Sequence, residues 1–185
     1  MQIYRAEENA ELVFHFPHGL NQEELDKQGV KLPVQMKLVD LVIERENDIL
    51  LVEIKDPSHS RSQEQDRKNY KNRLKNNSIL TQELTPKARD SYLYLHLMER
   101  DNKPFKYIVL LGLDAFDSEF QKVLMSNFKD RLLADIRNES FEAWKRKHID
   151  DCIVLSLESW NQTFPEWLLR RETLINQATT EEEIE

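Results

Sequence analysis

The sequence predicts an α/β fold in which a central mixed β-sheet is flanked by helices, and three observations support it. Two stretches rich in Val, Leu and Ile, 36–45 and 49–55, are separated by a short polar segment and predict a β-hairpin. The segment 106–113 is a continuous apolar run of the kind that a buried central strand needs. Stretches 61–77 and 117–137 have the composition or apolar spacing of surface helices.

The remaining elements follow from local signals. Residues 11–16 are β-prone and end at Pro17, and Asn21 followed by Glu24 has the spacing of a capping box, which predicts a short helix ending at Gly29. Pro86 predicts the start of another helix. Residues 152–157 predict a further strand, and residues 165–171 predict a short terminal helix.

Length and composition set the limits on function. The 185 residues contain 39% hydrophobic and 32% charged residues, which excludes a disordered chain and fits one domain over 1–178 with an acidic tail at 179–185. No apolar run is long enough to cross a bilayer, so no membrane partner is expected. The single cysteine, Cys152, excludes an internal disulfide and favours a cytoplasmic location. The net charge of −8 argues against a uniformly basic surface.

Three charged residues interrupt the apolar hairpin strands: Asp40, Glu53 and Lys55. Charges inside core strands are costly unless they are paired or bind a metal. A two-residue turn at Asn47-Asp48 would give partners whose numbers sum to 95, with Asp40 opposite Lys55 and diagonal to Glu53 on one face. A three-residue loop would give 94 and place Asp40 on the other face, so the register decides whether these groups meet.

Such a group has a defined chemistry. Two carboxylates and a backbone carbonyl form an oxygen-only site that suits Mg²⁺ or Mn²⁺. A lysine beside the metal can orient or deprotonate a water, or stabilise charge on a phosphoryl oxygen. The residues of the hairpin therefore predict a metal site and a neighbouring lysine, the groups that phosphodiester hydrolysis requires. The alternative is a plain hairpin in which Asp40 and Lys55 form a cross-strand ion pair.

The segment resembles the PD-(D/E)xK nuclease superfamily, which includes many restriction endonucleases and Holliday-junction resolvases. Asp40, twelve intervening residues and Glu53-Ile54-Lys55 carry the resemblance over about 20 residues. Val39 stands where the family usually has proline. The resemblance implies a restriction-endonuclease-like αβββαβ core, with the hairpin as its second and third strands and 106–113 as its next strand.

The resemblance also implies the role of each residue. Asp40 and Glu53 would be metal ligands, with the Ile54 carbonyl as a third, and Lys55 would be the catalytic lysine. The cofactor would be Mg²⁺ or Mn²⁺, and the substrate would be nucleic acid, with DNA favoured. The family often adds a glutamate from a helix before the sheet, and five residues are candidates for it: Glu7, Glu8, Glu11, Glu23 and Glu24.

A basic segment follows the predicted site. From Lys55 to Lys75 there are seven bases and three acids, a local charge of +4. We expect Arg67, Lys68, Lys71 and Lys75 to hold phosphates. A chain of this size leaves little room for a separate recognition domain, so sequence-specific cutting would need a homodimer or a partner protein. The alternative function is a non-catalytic binding or scaffold protein on the same fold.

Overall fold

The computed structural model describes residues 1–6, 11–26, 35–139 and 144–172 and has an α/β architecture. The strands are β1 Gln2–Arg5, β2 Leu12–Phe16, β3 Asn21–Glu24, β4 Leu41–Glu44, β5 Ile49–Lys55, β6 Phe105–Leu111, β7 Asp151–Ser156 and β8 Leu168–Arg171. The helices are α1 Glu64–Lys75, α2 Thr85–Leu97, α3 Ser118–Asn138 and α4 Leu157–Thr163, and a π-helical segment, Leu80–Leu84, runs directly into α2.

The strands form two sheets. The larger has the order β3-β4-β5-β6-β7 and the smaller has the order β1-β2-β8. In the larger sheet β3, β4 and β5 form an antiparallel meander, whereas β6 and β7 run parallel to β5. Parallel neighbours need crossover connections, and helices α1 to α3 provide them. The prediction of a mixed sheet flanked by helices is confirmed.

Side-chain alternation along β5 divides the interior into two cores. Ile49 and Leu51 face the side of helices α1 to α3, while Leu50 and Ile54 face the smaller sheet. The second core is rich in aromatic residues, with Trp160 of α4 at its centre in edge-to-face contact with Phe14, 5.2 Å between ring centroids. The order of layers is therefore helices, five-stranded sheet, and smaller sheet with α4. Glu53 follows the alternation onto the helix side.

Two predicted helices are wrong. Asn21–Glu24 is the edge strand β3, whose residues pair with β4 from Asn21 opposite Glu44 to Glu24 opposite Leu41. The C-terminal residues form strand β8, which pairs with β2, and the helix there is the preceding segment α4. In both segments pairing with a distant strand overrides a local helix signal.

Two further expectations concern the ends of the chain and the membrane. The acidic tail 179–185 and Gly29 lie outside the described residues. Within the described ranges, none of the helices combines the length and apolar character that a membrane-spanning segment needs.

Candidate active site at the end of strand β5

The β4–β5 hairpin has a register two residues away from the predicted one. Leu41 lies opposite Val52, so the numbers of paired residues sum to 93, not to 95 or 94. The predicted pairing of Asp40 with Lys55 is therefore wrong. The observed register differs from the predicted one by two residues, and side chains alternate between the two faces of a strand, so Asp40 still falls on the same face as Glu53. If the pairing is continued by one residue beyond Leu41 and Val52, Asp40 lies opposite Glu53.

The turn explains the shift. The Arg45 amide donates to the Asp48 carbonyl at 2.9 Å, which puts Glu46 and Asn47 at the centre of the turn. The Asp48 carboxylate is buried and accepts two hydrogen bonds of 2.6 Å from the Arg45 guanidinium. These bonds, together with Lys106 at 2.8 Å, lower the pKa of Asp48. Asp48 therefore closes the turn through its pair with Arg45, and the prediction that Asn47-Asp48 form its two central residues is wrong.

Four charged side chains converge near the C-terminal end of β5, and we call them the cleft cluster: Asp40, Glu53, Lys55 and Lys87. Glu53 Oε1 lies 3.0 Å from Lys55 Nζ and 2.9 Å from Lys87 Nζ. Lys87 Nζ also lies 3.4 Å from Asp40 Oδ1. The other Asp40 oxygen accepts a hydrogen bond of 2.6 Å from the Ile54 amide. The structure thus brings together the three residues that the sequence predicts and adds Lys87.

Glu53 is in an unfavourable environment for a carboxylate. Its side chain has 0% exposure. Burial and the charge of Asp40 outweigh the attraction of Lys55 and Lys87 and raise the pKa of Glu53 to about 7. Its second oxygen, Oε2, has no hydrogen-bond partner among the residues that the structure describes. The site thus holds a buried acceptor that the described polypeptide leaves unsatisfied.

Lys55 is held from the helix side by Glu83. Its Nζ lies 3.6 Å from Glu83 Oε2, and Arg73 contacts the other oxygen of Glu83 at 2.5 Å. Burial opposes ionisation of Glu83, but the hydrogen bond from Arg73 and the charge of Lys55 prevail and lower its pKa. Glu83 lies in the π-helical segment, an irregularity that is frequent at functional sites.

Sequence reasoning missed both Glu83 and Lys87. Glu83 carries no motif that distinguishes it from other surface glutamates. Lys87 has a weak signal, because it directly follows Pro86 in the first turn of a predicted helix, where the helix dipole disfavours a positive charge. Burial opposes the charge of the Lys87 ammonium, but Glu53 and Asp40 attract it and raise its pKa.

Lys55 and Lys87 of the cleft cluster line a cleft of about 510 Å³, whereas Asp40 and Glu53 lie behind them and are not lining residues. Four bases line it, Lys37, Lys55, Arg73 and Lys87, and His59 and Tyr70 are also lining residues. Among the acids of its wall are Asp56, Asp66 and Glu83. A concave surface of this composition fits a polar, anionic ligand better than an apolar one.

The predicted phosphate-binding bases of α1 do not line this cleft. The residues of α1 that do are Asp66, Tyr70 and Arg73, spaced four and three apart on one helical face. At 100° per residue, Arg67, Lys68, Lys71 and Lys75 project from the other faces.

The four bases differ in their surroundings. Lys68 and Lys75 are exposed, and Lys68 pairs with Glu64 at 2.7 Å on the helix surface. Lys71 pairs with Asp117 at 3.1 Å and lies 4.5 Å from the ring centroid of Phe120. Lys71 therefore joins α1 to the start of α3 and has a structural role that Lys68 does not have.

The described candidates for an N-terminal glutamate have other contacts. Glu11 contacts Ser60 and Arg171, and Glu23 contacts Arg100 at 2.6 Å. Glu24 lies on β3, whereas Glu7 and Glu8 lie outside the described residues. The additional carboxylate that the structure brings to Lys55 is Glu83, which comes from the helical side and follows the hairpin in sequence.

A second group of charges lies one residue beyond Lys55, and we call it the Arg171 cluster: Glu11, Asp56, Asp114 and Arg171. Arg171 binds Asp56 with two hydrogen bonds of 2.7 and 2.8 Å, Asp114 at 2.5 Å and Glu11 at 3.3 Å. Gly112 makes room for this arrangement, since a Cβ there would lie 2.1 Å from Asp56 Oδ1. The cluster joins the ends of β5 and β8.

The cleft cluster fits a hard divalent cation in the chemistry of its donors. Asp40 and Glu53 approach one positively charged nitrogen, and Glu53 Oε2 is an unsatisfied buried acceptor. The Ile54 amide points to Asp40, and the carbonyl of a residue in an extended strand points to the same side as its amide. No group of three or more His, Cys, Asp or Glu side chains among the described residues is arranged to hold a metal. A cation here would therefore depend on two carboxylates, a backbone carbonyl and water.

Comparisons with protein-family models, with curated proteins and with solved structures find no match to this chain.

Proposed function

We propose that this protein is a metal-dependent nuclease that hydrolyses phosphodiester bonds, with DNA as the favoured polymer. The observation that carries the proposal is the convergence of Asp40, Glu53 and Lys55 next to a cleft that Lys55 lines together with other bases. Lys55 Nζ contacts Glu53 Oε1, and Lys87 Nζ contacts both Glu53 and Asp40. This is the group of residues that the PD-(D/E)xK resemblance implies, on the face that the chemistry requires.

The order of elements gives additional support. The meander β3-β4-β5, the crossover through α1 and α2, and the parallel strand β6 follow the βββαβ part of a restriction-endonuclease-like core. The first helix of that core has no counterpart among the described residues, where β1, β2 and β3 precede β4. The support therefore comes from the second part of the core, which contains the candidate site.

The residues have separate roles in the proposed reaction. Asp40, Glu53 and the Ile54 carbonyl would hold Mg²⁺ or Mn²⁺, which would neutralise developing phosphoryl charge and make a water more acidic. Lys55 is positioned between Glu53 and Glu83, so its ammonium can donate to a phosphoryl oxygen or orient the attacking water. Lys37 and Arg73 provide positive charge along the cleft for neighbouring phosphates.

Cleavage of plasmid DNA in the presence of Mn²⁺ tests this function directly. The parent protein is expected to nick or degrade the DNA, and a chelator is expected to stop the reaction. Asp40→Asn should abolish cleavage and weaken Mn²⁺ binding, because the cation loses one of its two carboxylates. A parent protein that is folded and leaves DNA and RNA intact with Mn²⁺ present would overturn the proposal.

One observation favours a second candidate, a non-catalytic binding or scaffold protein. Asp40, Glu53, Lys55 and Lys87 balance two negative charges with two positive ones, so the cleft cluster can stand as an internal ion-pair network. A scaffold of this kind would not bind Mn²⁺ through Asp40. A Mn²⁺ titration of the parent and Asp40→Asn tests this candidate, since a plain ion-pair network would show no Mn²⁺ affinity that depends on Asp40.

A further inference from the structure

Lys87 lies at the point where the two carboxylates of the candidate site come closest to a common positive charge. Its Nζ is 2.9 Å from Glu53 Oε1 and 3.4 Å from Asp40 Oδ1, and its side chain is only 13% exposed. The helix that carries it, α2, follows the hairpin by about 30 residues in sequence. The contact is therefore built by the fold and not by local chain proximity.

A cation in this position has a physical reason to be there. Two carboxylates that share a buried site repel each other, and an isolated buried carboxylate is costly. Of the two lysines, Lys55 contacts Glu53 and the more peripheral Glu83. Lys87 contacts both Glu53 and Asp40. Lys87 thus supplies the positive charge that a divalent cation would supply to the same two oxygens.

We propose that Lys87 is a resident counter-ion that competes with the divalent metal for Asp40 and Glu53. This inference depends on the metal site of the proposed function. An ammonium and a divalent cation repel each other strongly at close range, so metal binding requires the Lys87 ammonium to leave the carboxylates. The four-carbon stem of lysine allows this movement without a change in the backbone.

The structure offers two destinations for the displaced ammonium. Asp26 Oδ2 already lies 3.4 Å from Lys87 Nζ and is half exposed at the edge of the site. Lys87 also lines the cleft, where phosphate oxygens of a nucleic acid would accept its hydrogen bonds. A bound phosphate would therefore draw Lys87 away from the carboxylates and favour metal binding, which links substrate to metal.

Calorimetric titration of the full chain with Mn²⁺ alone tests the competition. Lys87→Met removes the charge and retains the length of the side chain, so Mn²⁺ affinity should rise by about tenfold or more. Lys87→Arg retains the charge and should keep the affinity close to that of the parent. Lys37→Met is the matched control, because Lys37 lines the same cleft but donates to the Gln82 carbonyl at 2.7 Å. It should change the affinity much less than Lys87→Met.

The Mn²⁺ affinity and the folding of the Lys87 variants show whether Lys87 competes with the metal. Equal or weaker Mn²⁺ affinity in folded Lys87→Met overturns the competition, since Lys87 would then only hold the site together. If Lys87→Met and Lys87→Gln fold only with Mn²⁺ present, the metal replaces the ammonium and the proposal is supported; if neither folds with or without Mn²⁺, it is overturned. A parent that binds Mn²⁺ but cleaves no nucleic acid removes the nuclease function and leaves the competition standing. A parent and variants that bind no Mn²⁺ overturn both.

Discussion

Strand β5 ends between two clusters of charged residues. Each cluster holds a buried glutamate, but the two clusters surround it with different positive groups. In the Arg171 cluster, one planar guanidinium binds Asp56 through two parallel hydrogen bonds and also contacts Glu11 and Asp114. In the cleft cluster, flexible lysines make single contacts with the carboxylates, and Glu53 Oε2 has no hydrogen-bond partner among the described residues. Both clusters bury a glutamate almost completely, Glu11 at 2% exposure and Glu53 at 0%.

Burial raises the pKa of both glutamates, but the net pKa shifts have opposite signs. Burial opposes ionisation of Glu11, but hydrogen bonds from Ser60 and Arg171 prevail and lower its pKa. Burial and the nearby Asp40 raise the pKa of Glu53 to about 7. The Arg171 cluster therefore stabilises the ionised form of its buried glutamate. The cleft cluster instead disfavours the ionised form of Glu53. Such a raised pKa beside a cleft is typical of a functional site.

The largest effect is expected from breaking the Arg171 cluster. Arg171→Ala leaves Asp56 and Glu11 buried without their guanidinium, so the free energy of unfolding should fall by about 3–5 kcal/mol. Denaturant unfolding at neutral pH measures this loss. Arg170→Ala is the control, because Arg170 is exposed on the same strand and its loss should cost at most about 0.5 kcal/mol. Equal effects of the two substitutions would show that the Arg171 cluster contributes little.

The next effect concerns the pH dependence of stability. The pKa of Glu53 is near 4.5 in the unfolded chain and about 7 in the folded protein, so between these values the folded state binds more protons. Its contribution to the free energy of unfolding therefore falls as pH rises through this window. Glu53→Gln removes this titrating group. The free energy of unfolding of the variant, relative to that of the parent, should therefore rise by about 3 kcal/mol from pH 4.5 to above pH 7.

Unfolding curves of the parent and Glu53→Gln across this pH range supply the measurement. Glu46→Gln is the control, because it makes the same substitution at an exposed position in the turn of the same hairpin. Its stability relative to the parent should change much less over this pH range than that of Glu53→Gln. A constant difference between Glu53→Gln and the parent would contradict the raised pKa of Glu53.

The same contrast shows how far sequence reasoning reaches. Strand β5 has the bounds that its apolar composition predicts, and β6 begins one residue before its predicted start. Both are long strands whose pattern depends on burial from both sides. Strands β1, β3 and β8 have four residues each, and they depend on partners far away in sequence. Their local patterns therefore gave no reliable signal.

The site could be predicted in part for a similar reason. Asp40, Glu53 and Lys55 are visible because charges interrupt apolar strands, and parity kept Asp40 and Glu53 on one face although the register differed by two. The register itself depended on the Arg45–Asp48 pair, which looks like ordinary turn composition. Lys87 and Glu83 come from a different element, and their contacts depend on how the helices lie on the sheet.

The smallest effect concerns the outer surface of α1. Lys68 and Lys75 are exposed, so Lys68→Glu with Lys75→Glu should change the free energy of unfolding by at most about 0.5 kcal/mol. If these bases hold phosphates outside the cleft, the slope of log K against log salt should fall by up to about 0.9 for each phosphate that the variant no longer neutralises. DNA-binding titrations over a range of salt concentrations measure the slope. Lys122→Glu on α3 is the control, and an unchanged slope in the double variant would mean that the α1 bases are only solvated.

Lys55→Ala tests most directly whether the cleft cluster serves chemistry rather than stability. We expect turnover of DNA with Mn²⁺ to fall by roughly 10²-fold, the usual scale for one group that shuttles a proton or stabilises transition-state charge. Mn²⁺ affinity should be equal or slightly tighter, because a neighbouring positive charge is removed. The fold should remain, since Lys87 still pairs with Glu53. A marked loss of stability in Lys55→Ala, with no Mn²⁺-dependent turnover in the parent, would contradict the account.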